Sequence, residues 1–319
     1  MKDFQKEFGE KMIASVSRSF YLSLRFLPSE MRGTASLAYL LARATDTVTD
    51  TNALPEDDRL EFLEAMELAI NGGEEVPPLD SSFLEGEISV GERNLLEKWQ
   101  HCLEWLQSLQ EPRQLAIRKV MRSIIKGQSD DLRNFSGKEF AALRTEEELD
   151  QYTYDVAGSV GVFWTDIGFD AFGSDFAELE YEEMILLGEN YGKGLQLLNI
   201  IRDFPEDIVS GRCYFPGSFS DPDGEMIWNE IKDHWQKRCS SLLRSAADYI
   251  ESLNGSRVRF ATSLPALIGA RTLKLIENAD WDNLCGKIKV SRGEVKRIML
   301  KAGLAGRKRL SKMISTQFS

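Results

Sequence analysis

The feature that most constrains the fold is the stretch 188–216, which reads GENYGKGLQLLNIIRDFPEDIVSGRCYFP. As a helix it has an apolar back, formed by Leu195, Leu198 and Ile201, and a front of small, polar and then acidic residues. The front comprises Gly188, Gly192, Gln196, Asn199, Asp203 and Asp207. Residues four apart lie one turn apart on the same side of a helix, so the two carboxylates project together. The stretch therefore predicts a helix with an acidic face and with space in front of its glycines.

A second acid pair with the same spacing lies earlier in the chain. Asp46 and Asp50 end the segment 39–50, YLLARATDTVTD, and helical spacing puts Tyr39 and Arg43 near the same face. A lone pair of this kind is usually a solvated helix end. Two pairs flanked by arginine suit another role, because carboxylates can share Mg²⁺ while guanidinium groups bind diphosphate oxygens. The duplication therefore predicts a site for Mg²⁺ and a diphosphate.

Composition narrows the functional classes. The chain has 319 residues, 42% of them hydrophobic, and a formal net charge of −12, which predicts a globular protein and argues against a general nucleic-acid binder. Its two histidines, His101 and His234, lack partners at metal-ligand or catalytic spacing. Catalysis by histidine is therefore not expected. The four scattered cysteines suit a reduced cytoplasmic protein.

The apolar pattern is helical along the chain, with no βαβ alternation, dinucleotide-binding motif, P-loop or repeat. Helices are predicted over 3–26, 30–50, 56–71, 95–110, 112–133, 146–171, 176–204, 223–253, 257–280 and 292–302, with a loop over 72–95. Pro205 should end the central helix near Asp203, leaving Asp207 in a distorted turn. We therefore predict one all-α domain over 1–319 with its site in a cavity between helices.

Several segments together resemble the squalene/phytoene synthase family. The matching pieces are SRSFYLSLRFLP (17–28), YLLARATDTVTD (39–50), YTYDVAGSVG (152–161) and QLLNIIRDFPEDIVSGRCYFP (196–216), with a weaker match in KIKVSRG (287–293). They occur in the family's order and extend over most of the chain, and the last acidic motif is the most specific. The resemblance implies an isoprenoid-synthase-type helical bundle around a central cavity.

The resemblance also implies roles for individual residues. The aspartates Asp46, Asp50, Asp203 and Asp207 would hold Mg²⁺, and Tyr152 would handle a proton or the leaving group. Substrate binding would fall to Ser17, Ser19, Phe20, Tyr39, Arg43, Gln196, Asn199, Arg202 and Arg212. Taken alone, Tyr152 is more typical of a packed tyrosine.

Three further sets of residues each allow two interpretations. Lys287, Lys289 and Arg292 resemble a basic patch near the phosphate of NADPH, or they form a solvated basic loop. The thin helix face at 157–161 predicts either close packing or room for an isoprenoid chain. Thr47 and Thr49 stand where relatives usually have a further acid, which implies a weaker or altered first metal site.

The reaction implied by the resemblance is Mg²⁺-dependent head-to-head (1'-1) condensation of two prenyl diphosphates. Two farnesyl diphosphates giving squalene through presqualene diphosphate, with NADPH as reductant, is favoured by the form of the first acidic motif. The alternatives are a phytoene, dehydrosqualene or presqualene-diphosphate synthase and, in another class, a non-catalytic assembly or binding factor. No apolar run reaches the length of a membrane span. We therefore expect a cytoplasmic protein in peripheral contact with a membrane, and no nucleic-acid partner.

Overall fold

The computed structural model describes residues 2–16, 20–51, 53–73, 88–217, 219 and 223–316, and side chains over 9–16 and from 23 onward within these ranges. These residues are almost entirely helical, so the predicted all-α class is confirmed. The chain divides into two compact units, Met1–Ser136 with Asp166–Gly173 and Gly137–Thr165 with Ser174–Ser319. The single domain over 1–319 stays a prediction.

The helices of the first unit surround one central helix, α3. They are α1 (Lys2–Val16), α2 (Phe20–Phe26), α3 (Ser29–Asp50), α4 (Glu56–Ile70), α5 (Val90–Glu97), α6 (Trp99–Gln107) and α7 (Glu111–Phe135). α3 packs against α1, α4, α6 and α7, and its Leu37, Leu40 and Leu41 are fully buried. Because α3 is held by apolar contacts on several sides, packing sets the direction of the face that carries Asp46.

Helix α5 begins inside the segment that was predicted to be a loop over 72–95. Ser89 Oγ accepts a hydrogen bond from the Glu92 amide (3.3 Å), and the Glu92 carboxylate accepts one from the Ser89 amide (2.8 Å). This capping box satisfies free amides at a helix start, so the helix begins at Val90. The loop prediction is wrong from that residue onward, and 74–87 lie outside the described residues.

The second unit holds the remaining elements. One of them, α9, is divided, because its residues from Asp166 onward belong to the first unit. In chain order they are β1 (Ala141–Ala142), α8 (Glu146–Thr153), a π-helical turn (Tyr154–Gly158), α9 (Ser159–Phe172), a 3₁₀ turn (Gly173–Asp175), α10 (Tyr181–Val209), β2 (Arg212–Cys213), α11 (Gly224–Ser252), α12 (Ser256–Glu277), α13 (Trp281–Cys285), α14 (Arg292–Gly303) and α15 (Arg307–Ser315). The helix predicted over 146–171 is thus two helices joined by a π-turn. Among the described helices none is long and apolar enough to cross a bilayer.

Helix α10 continues through Pro205 to Val209, so the prediction that it ends near Asp203 is wrong. Proline lacks the amide that would bond to the carbonyl four residues earlier, and in a helix interior it costs about 3 kcal/mol. The helix nevertheless persists for another turn. Asp207 therefore lies on the regular helix, one turn beyond Asp203.

The residue before the proline anchors this last turn. Phe204 is 1% exposed, and its ring centroid lies 5.6 Å from that of Phe215, 5.7 Å from Trp228 and 6.1 Å from Trp281. Burying a phenylalanine contributes about 1.5–3 kcal/mol, with a further contribution from aromatic pairs. This aromatic cluster offsets the loss of the proline's hydrogen bond.

The glycines of α10 lie against the backbone of the preceding segment. A Cβ atom at Gly161 would lie 1.9 Å from the carbonyl oxygen of Gly188, and one at Gly192 would lie 2.1 Å from that of Ala157. The space expected in front of the glycines is therefore filled by protein. Of the two interpretations of the thin face, close packing is confirmed, and room for an isoprenoid chain at these positions is wrong.

Replacement of Gly161 tests this contact. We expect Gly161→Ala to lower the free energy of unfolding by roughly 2 kcal/mol or more, because the new methyl group overlaps a carbonyl oxygen that α10 cannot move freely. Urea unfolding followed by circular dichroism measures the change. The matched control is Gly293→Ala on α14, where a Cβ meets nothing closer than 4.0 Å. The control should be neutral or stabilising by up to about 1 kcal/mol; equal effects in the two variants would contradict the packing argument.

Candidate active site

In the first unit, Arg43 joins the acidic face of α3 to α5. Its Nη1 donates to Asp46 Oδ2 and its Nη2 donates to Glu92 Oε1. Burial lowers the pKa of Arg43, but the charges of Asp46 and Glu92 raise it by more, so the guanidinium stays positive. Glu92 was not foreseen from the sequence. The signal that could have found it is the capping pattern of a serine followed three residues later by glutamate.

Asp46 is electrostatically strained. Burial is the largest cause that raises its pKa, repulsion by Asp50 is the second, and attraction by Arg43 opposes both; the pKa is raised to about 6. Its side chain is nevertheless 40% exposed. Contact with solvent screens part of the electrostatic penalty on this carboxylate. Asp50 is exposed at the last position of α3.

The two threonines of the first motif point away from this acidic face. Thr47 and Thr49 are buried, and their hydroxyl groups donate to the carbonyl oxygens of Arg43 (2.8 Å) and Thr45 (3.0 Å). Because Thr47 and Thr49 are buried, their hydroxyl groups do not lie on the exposed face that carries Asp46 and Asp50. The altered metal site that these threonines implied stays a prediction. Tyr39 is half-buried one turn before Arg43.

In the second unit, α10 presents the other acid pair with its own arginine. Arg202 donates to both carboxylate oxygens of Asp203, from Nε at 2.8 Å and from Nη2 at 2.5 Å. These hydrogen bonds raise the pKa of Arg202. Asp207 lies one turn on, with 16% of its side chain exposed, and Arg212 Nη2 is 3.8 Å from its Oδ1. Each acidic motif thus has a guanidinium group on its first aspartate.

Two amides continue this face towards the start of α10. Asn199 Nδ2 donates to Gln196 Oε1 at 3.4 Å, and both side chains are half-buried. Arg212 follows the helix on β2, which pairs in parallel with β1. Gly211 makes the turn into β2 at φ 78°, where a Cβ would lie 2.4 Å from the Glu139 carbonyl oxygen. This turn directs Arg212 back towards Asp207.

Tyr152 lies in the last turn of α8, directly before the π-turn. Its ring stacks on that of Tyr214, with centroids 5.0 Å apart and planes at 24°. Tyr152 is half-buried and Tyr214 is 7% exposed. The ring of Tyr152 therefore has a packing role. The role of its hydroxyl group stays a prediction, and π-helical turns of this kind frequently occur at functional sites.

A network of charged side chains surrounds the buried Lys193 beside the π-turn. Lys193 of α10, whose side chain is 9% exposed, places Nζ 2.5 Å from Asp150 Oδ2 and 3.6 Å from Glu189 Oε1. Arg238 of α11 approaches Asp150 Oδ1 at 3.1 Å. Asp150 comes two residues before Tyr152, so this network ties the end of α8 to two long helices. No sequence pattern predicted it, because its members come from three separate segments.

The other predicted residues divide into two groups. Ser17 and Ser19 lie outside the described residues, and the side chain of Phe20, the first residue of α2, lies outside the described side chains. Of the predicted NADPH patch, Lys287 Nζ lies 2.6 Å from Glu206 Oε1 on α10, whereas Lys289 and Arg292 are exposed. A role for these three in binding a reductant stays a prediction.

The chemistry of the donors fits Mg²⁺. Within the described ranges, no group of three or more His, Cys, Asp or Glu side chains is arranged to hold a metal ion. Mg²⁺, however, is often held by one or two carboxylates, with water and substrate phosphates completing its shell. The raised pKa of Asp46 indicates a pair of carboxylates whose repulsion a cation would relieve.

An all-helical fold that carries two arginine-bound acid pairs at helical spacing offers ligands of the kind that bind a divalent cation and a diphosphate. A model of the squalene/phytoene synthase family matches residues 13–294, and the chain belongs to that family.

Individual relatives agree with this assignment. The chain is 25% identical to squalene synthase of Saccharomyces cerevisiae over 303 residues, covering 92% of this chain and 66% of the yeast protein. It is 26% identical to lycopaoctaene synthase of Botryococcus braunii over 321 residues, covering 94% and 67%. It therefore spans about two thirds of the length of these relatives. The fold matches that of TcSQS in complex with the ligand E5700, with a TM-score of 0.81, 24% identity and coverage of 99% and 91%.

The strain at Asp46 predicts a pH dependence of stability. The carboxyl titrates near pH 6 in the folded chain and near pH 3.9 when unfolded, so its contribution to stability falls as pH rises through this range. In EDTA, we expect Asp46→Asn to be more stable than the wild type above pH 6, with no difference near pH 4. The expected gain is roughly 1 kcal/mol, since the group's exposure screens the repulsion.

Urea unfolding across pH 4–8 measures this difference. The control is Glu64→Gln, an exposed acid on α4, which should leave the pH profile unchanged. An Asp46→Asn difference that is constant from pH 4 to pH 8 would show that the carboxyl is not strained.

Proposed function

We propose that this protein catalyses the Mg²⁺-dependent head-to-head condensation of two prenyl diphosphates. The observation that carries the proposal is the pairing of Arg43 with Asp46 and of Arg202 with Asp203. Membership of the squalene/phytoene synthase family supports it. In both acidic motifs an arginine and two aspartates occupy one region of a helix, so each motif offers anionic ligands for a cation and donors for phosphate oxygens.

Each acidic motif has a physical task in the proposal. Asp46 and Asp50 would hold Mg²⁺ on α3 of the first unit, and Asp203 and Asp207 would hold it on α10 of the second. Mg²⁺ bound there would neutralise the negative charge that develops on the departing diphosphate. Arg43 and Arg202 keep their positive charge, as their raised pKa values require, and donate to diphosphate oxygens. Their present bonds to aspartate limit the repulsion between carboxylates before a substrate binds.

The residues beyond the aspartates would orient the chain and the leaving group. Gln196 and Asn199 precede Asp203 on α10 and would line the substrate site near the cation. Arg212 approaches Asp207 and adds a further donor for phosphate. Tyr152 would donate its hydroxyl proton in a hydrogen bond to a departing oxygen, and the stack on Tyr214 would fix its ring.

We infer farnesyl diphosphate as the substrate and squalene as the product, with NADPH reducing the second intermediate. The form of the first acidic motif supports this choice over phytoene, dehydrosqualene or presqualene diphosphate. Relatives of nearly equal identity are named squalene synthase and lycopaoctaene synthase, so similarity alone does not choose the product. Incubation with farnesyl or geranylgeranyl diphosphate, with and without NADPH, identifies it by mass spectrometry. Farnesyl diphosphate with NADPH should give squalene.

A non-catalytic assembly or binding factor is the alternative in another class. Retention of all four aspartates argues against it, because a protein that does not turn over diphosphates has no need of two acid pairs suited to hold Mg²⁺. Failure to release diphosphate from either substrate in Mg²⁺ would favour it. For the active enzyme we further infer peripheral association with a membrane, since both the substrate and the hydrocarbon product are lipidic.

Both acid pairs should be essential for turnover. We expect Asp50→Asn and Asp203→Asn each to lower kcat by at least a hundredfold, about 2.7 kcal/mol of barrier, while the folded state persists. EDTA should abolish activity and Mg²⁺ should restore it. The control is Glu182→Gln, an exposed acid at the start of α10, which should keep wild-type rates. Near-normal turnover in EDTA would contradict the dependence of the reaction on Mg²⁺.

The hydroxyl group of Tyr152 should act in the chemical steps. Tyr152→Phe keeps the ring and its stack, so we expect turnover to fall at least tenfold, about 1.4 kcal/mol of barrier, with Tm nearly unchanged. Tyr214→Phe is the matched control, because it removes a hydroxyl from the other ring of the same stack. A purely structural hydroxyl would instead cost about 1 kcal/mol of stability and little rate. Equal rate losses in both variants would contradict the assignment to Tyr152.

A further inference from the structure

Basic charge is concentrated in one segment of this acidic protein. Residues 287–316 contain ten of the chain's 39 lysines and arginines but only one of its 51 acidic residues. The segment includes α14 and α15, both of which pack on the second unit through α12. Since the rest of the chain is strongly acidic, an anionic surface would attract this segment and repel the remainder.

The solvent-exposed side of helix α14 carries both leucine and cationic side chains. Its inward positions carry Val295, Ile298, Met299 and Ala302, none of which is exposed. On the opposite side Leu300 is 66% exposed and Leu304, which caps the helix, is 77% exposed. The exposed side chains of this side are Lys296, Arg297, Leu300, Lys301 and Leu304, and together they are called the α14 face.

This face is held in place by the rest of the unit. Glu294 in the first turn accepts from Arg271 Nε at 3.0 Å, which fastens the start of α14 to α12. Ser291 and Glu294 form a capping box, and Ala302 in the last turn is 2% exposed. The two leucines are therefore exposed on an ordered helix, one turn apart.

Some lysines and arginines of the segment pair with a carboxylate of the protein, and others do not. Lys287 pairs with Glu206, and Arg307 pairs with Glu178. By contrast, Lys296, Arg297 and Lys301 form no ion pair with any residue that the structure describes, and neither do Lys308, Arg309 and Lys312, which are exposed on α15. Six neighbouring cations thus have their charge available for an external anionic partner.

We propose that the α14 face docks on a lipid bilayer that contains anionic lipids. The leucines enter the boundary between headgroups and acyl chains, while the lysines and arginine bind lipid phosphates, as in interfacial amphipathic helices. Nucleic acid would satisfy the cations but would leave the two leucines without an apolar partner. The inference deepens the peripheral association proposed above, but it is argued from the exposed leucines and cations of the α14 face and not from the proposed reaction.

Flotation of the full chain with vesicles, without substrate, tests the proposal. The wild type should float with vesicles of phosphatidylcholine that contain about 30% phosphatidylglycerol, and a much smaller fraction of it should float with phosphatidylcholine alone. The double variant Leu300→Ser, Leu304→Ser should bind the anionic vesicles at least tenfold more weakly. The triple variant Lys296→Gln, Arg297→Gln, Lys301→Gln should lose a similar factor, and raised salt should weaken the wild type.

Matched controls separate this face from general effects. Leu186→Ser removes another leucine of the second unit that is 59% exposed, and it should float as the wild type does. The triple variant Lys98→Gln, Arg144→Gln, Lys237→Gln removes three exposed cations elsewhere and should also float normally. Unchanged Tm values in all variants exclude misfolding.

Two outcomes would overturn the inference. A membrane partner would be ruled out if the wild type did not float with anionic vesicles, or if it bound only a duplex DNA oligonucleotide. Equal flotation of the wild type and the α14 variants would leave membrane association standing but reject this face. Neither result bears on condensation of prenyl diphosphates, which the product assay tests separately.

Discussion

The close approach of two backbones is the contact on which the second unit depends. Gly161 and Gly188 bring α9 within van der Waals distance of α10, and Gly192 does the same at the π-turn. No residue with a side chain fits at these positions, so the contact fixes α10 along its axis and in rotation. Gln196, Asn199 and Asp203 continue along the same helix. The glycines, which lie far from the acids, thereby determine where the acidic face points.

The acidic faces show how a protein keeps like charges close together. Burial and, after it, repulsion by Asp50 raise the pKa of Asp46 to about 6, and Arg43 offsets only part of this rise. Arg43 is shared with Glu92, so a single guanidinium group serves two carboxylates. A site that is under-neutralised in this way is suited to bind a cation, because the cation removes an existing penalty. On α10, Arg202 pairs with Asp203 in the same way that Arg43 pairs with Asp46.

The predictions that succeeded concern short-range patterns. The helix predicted over 30–50 corresponds to Ser29–Asp50 and that over 56–71 to Glu56–Ile70, because apolar periodicity is a local property. The pairing of aspartates on each helix follows from spacing alone. Tyr152 shows the limit of such patterns. Its place on a helix was predicted, but the π-turn after it was not, and its stack on Tyr214 requires a residue more than sixty positions away.

The sequence by itself determined the helical class, the two acid pairs with their arginines, and the family to which the chain belongs. Each of these depends on residues within a few turns of one another. Tertiary structure alone decided that the glycines pack closely, since the sequence is compatible equally with open space. It also decided that α10 passes Pro205, because Phe204 is anchored by Phe215, Trp228 and Trp281 from distant segments. Arg43 with Glu92 and Lys193 with Asp150 likewise became partners only through packing, because buried charges must find opposite charges wherever the fold brings them.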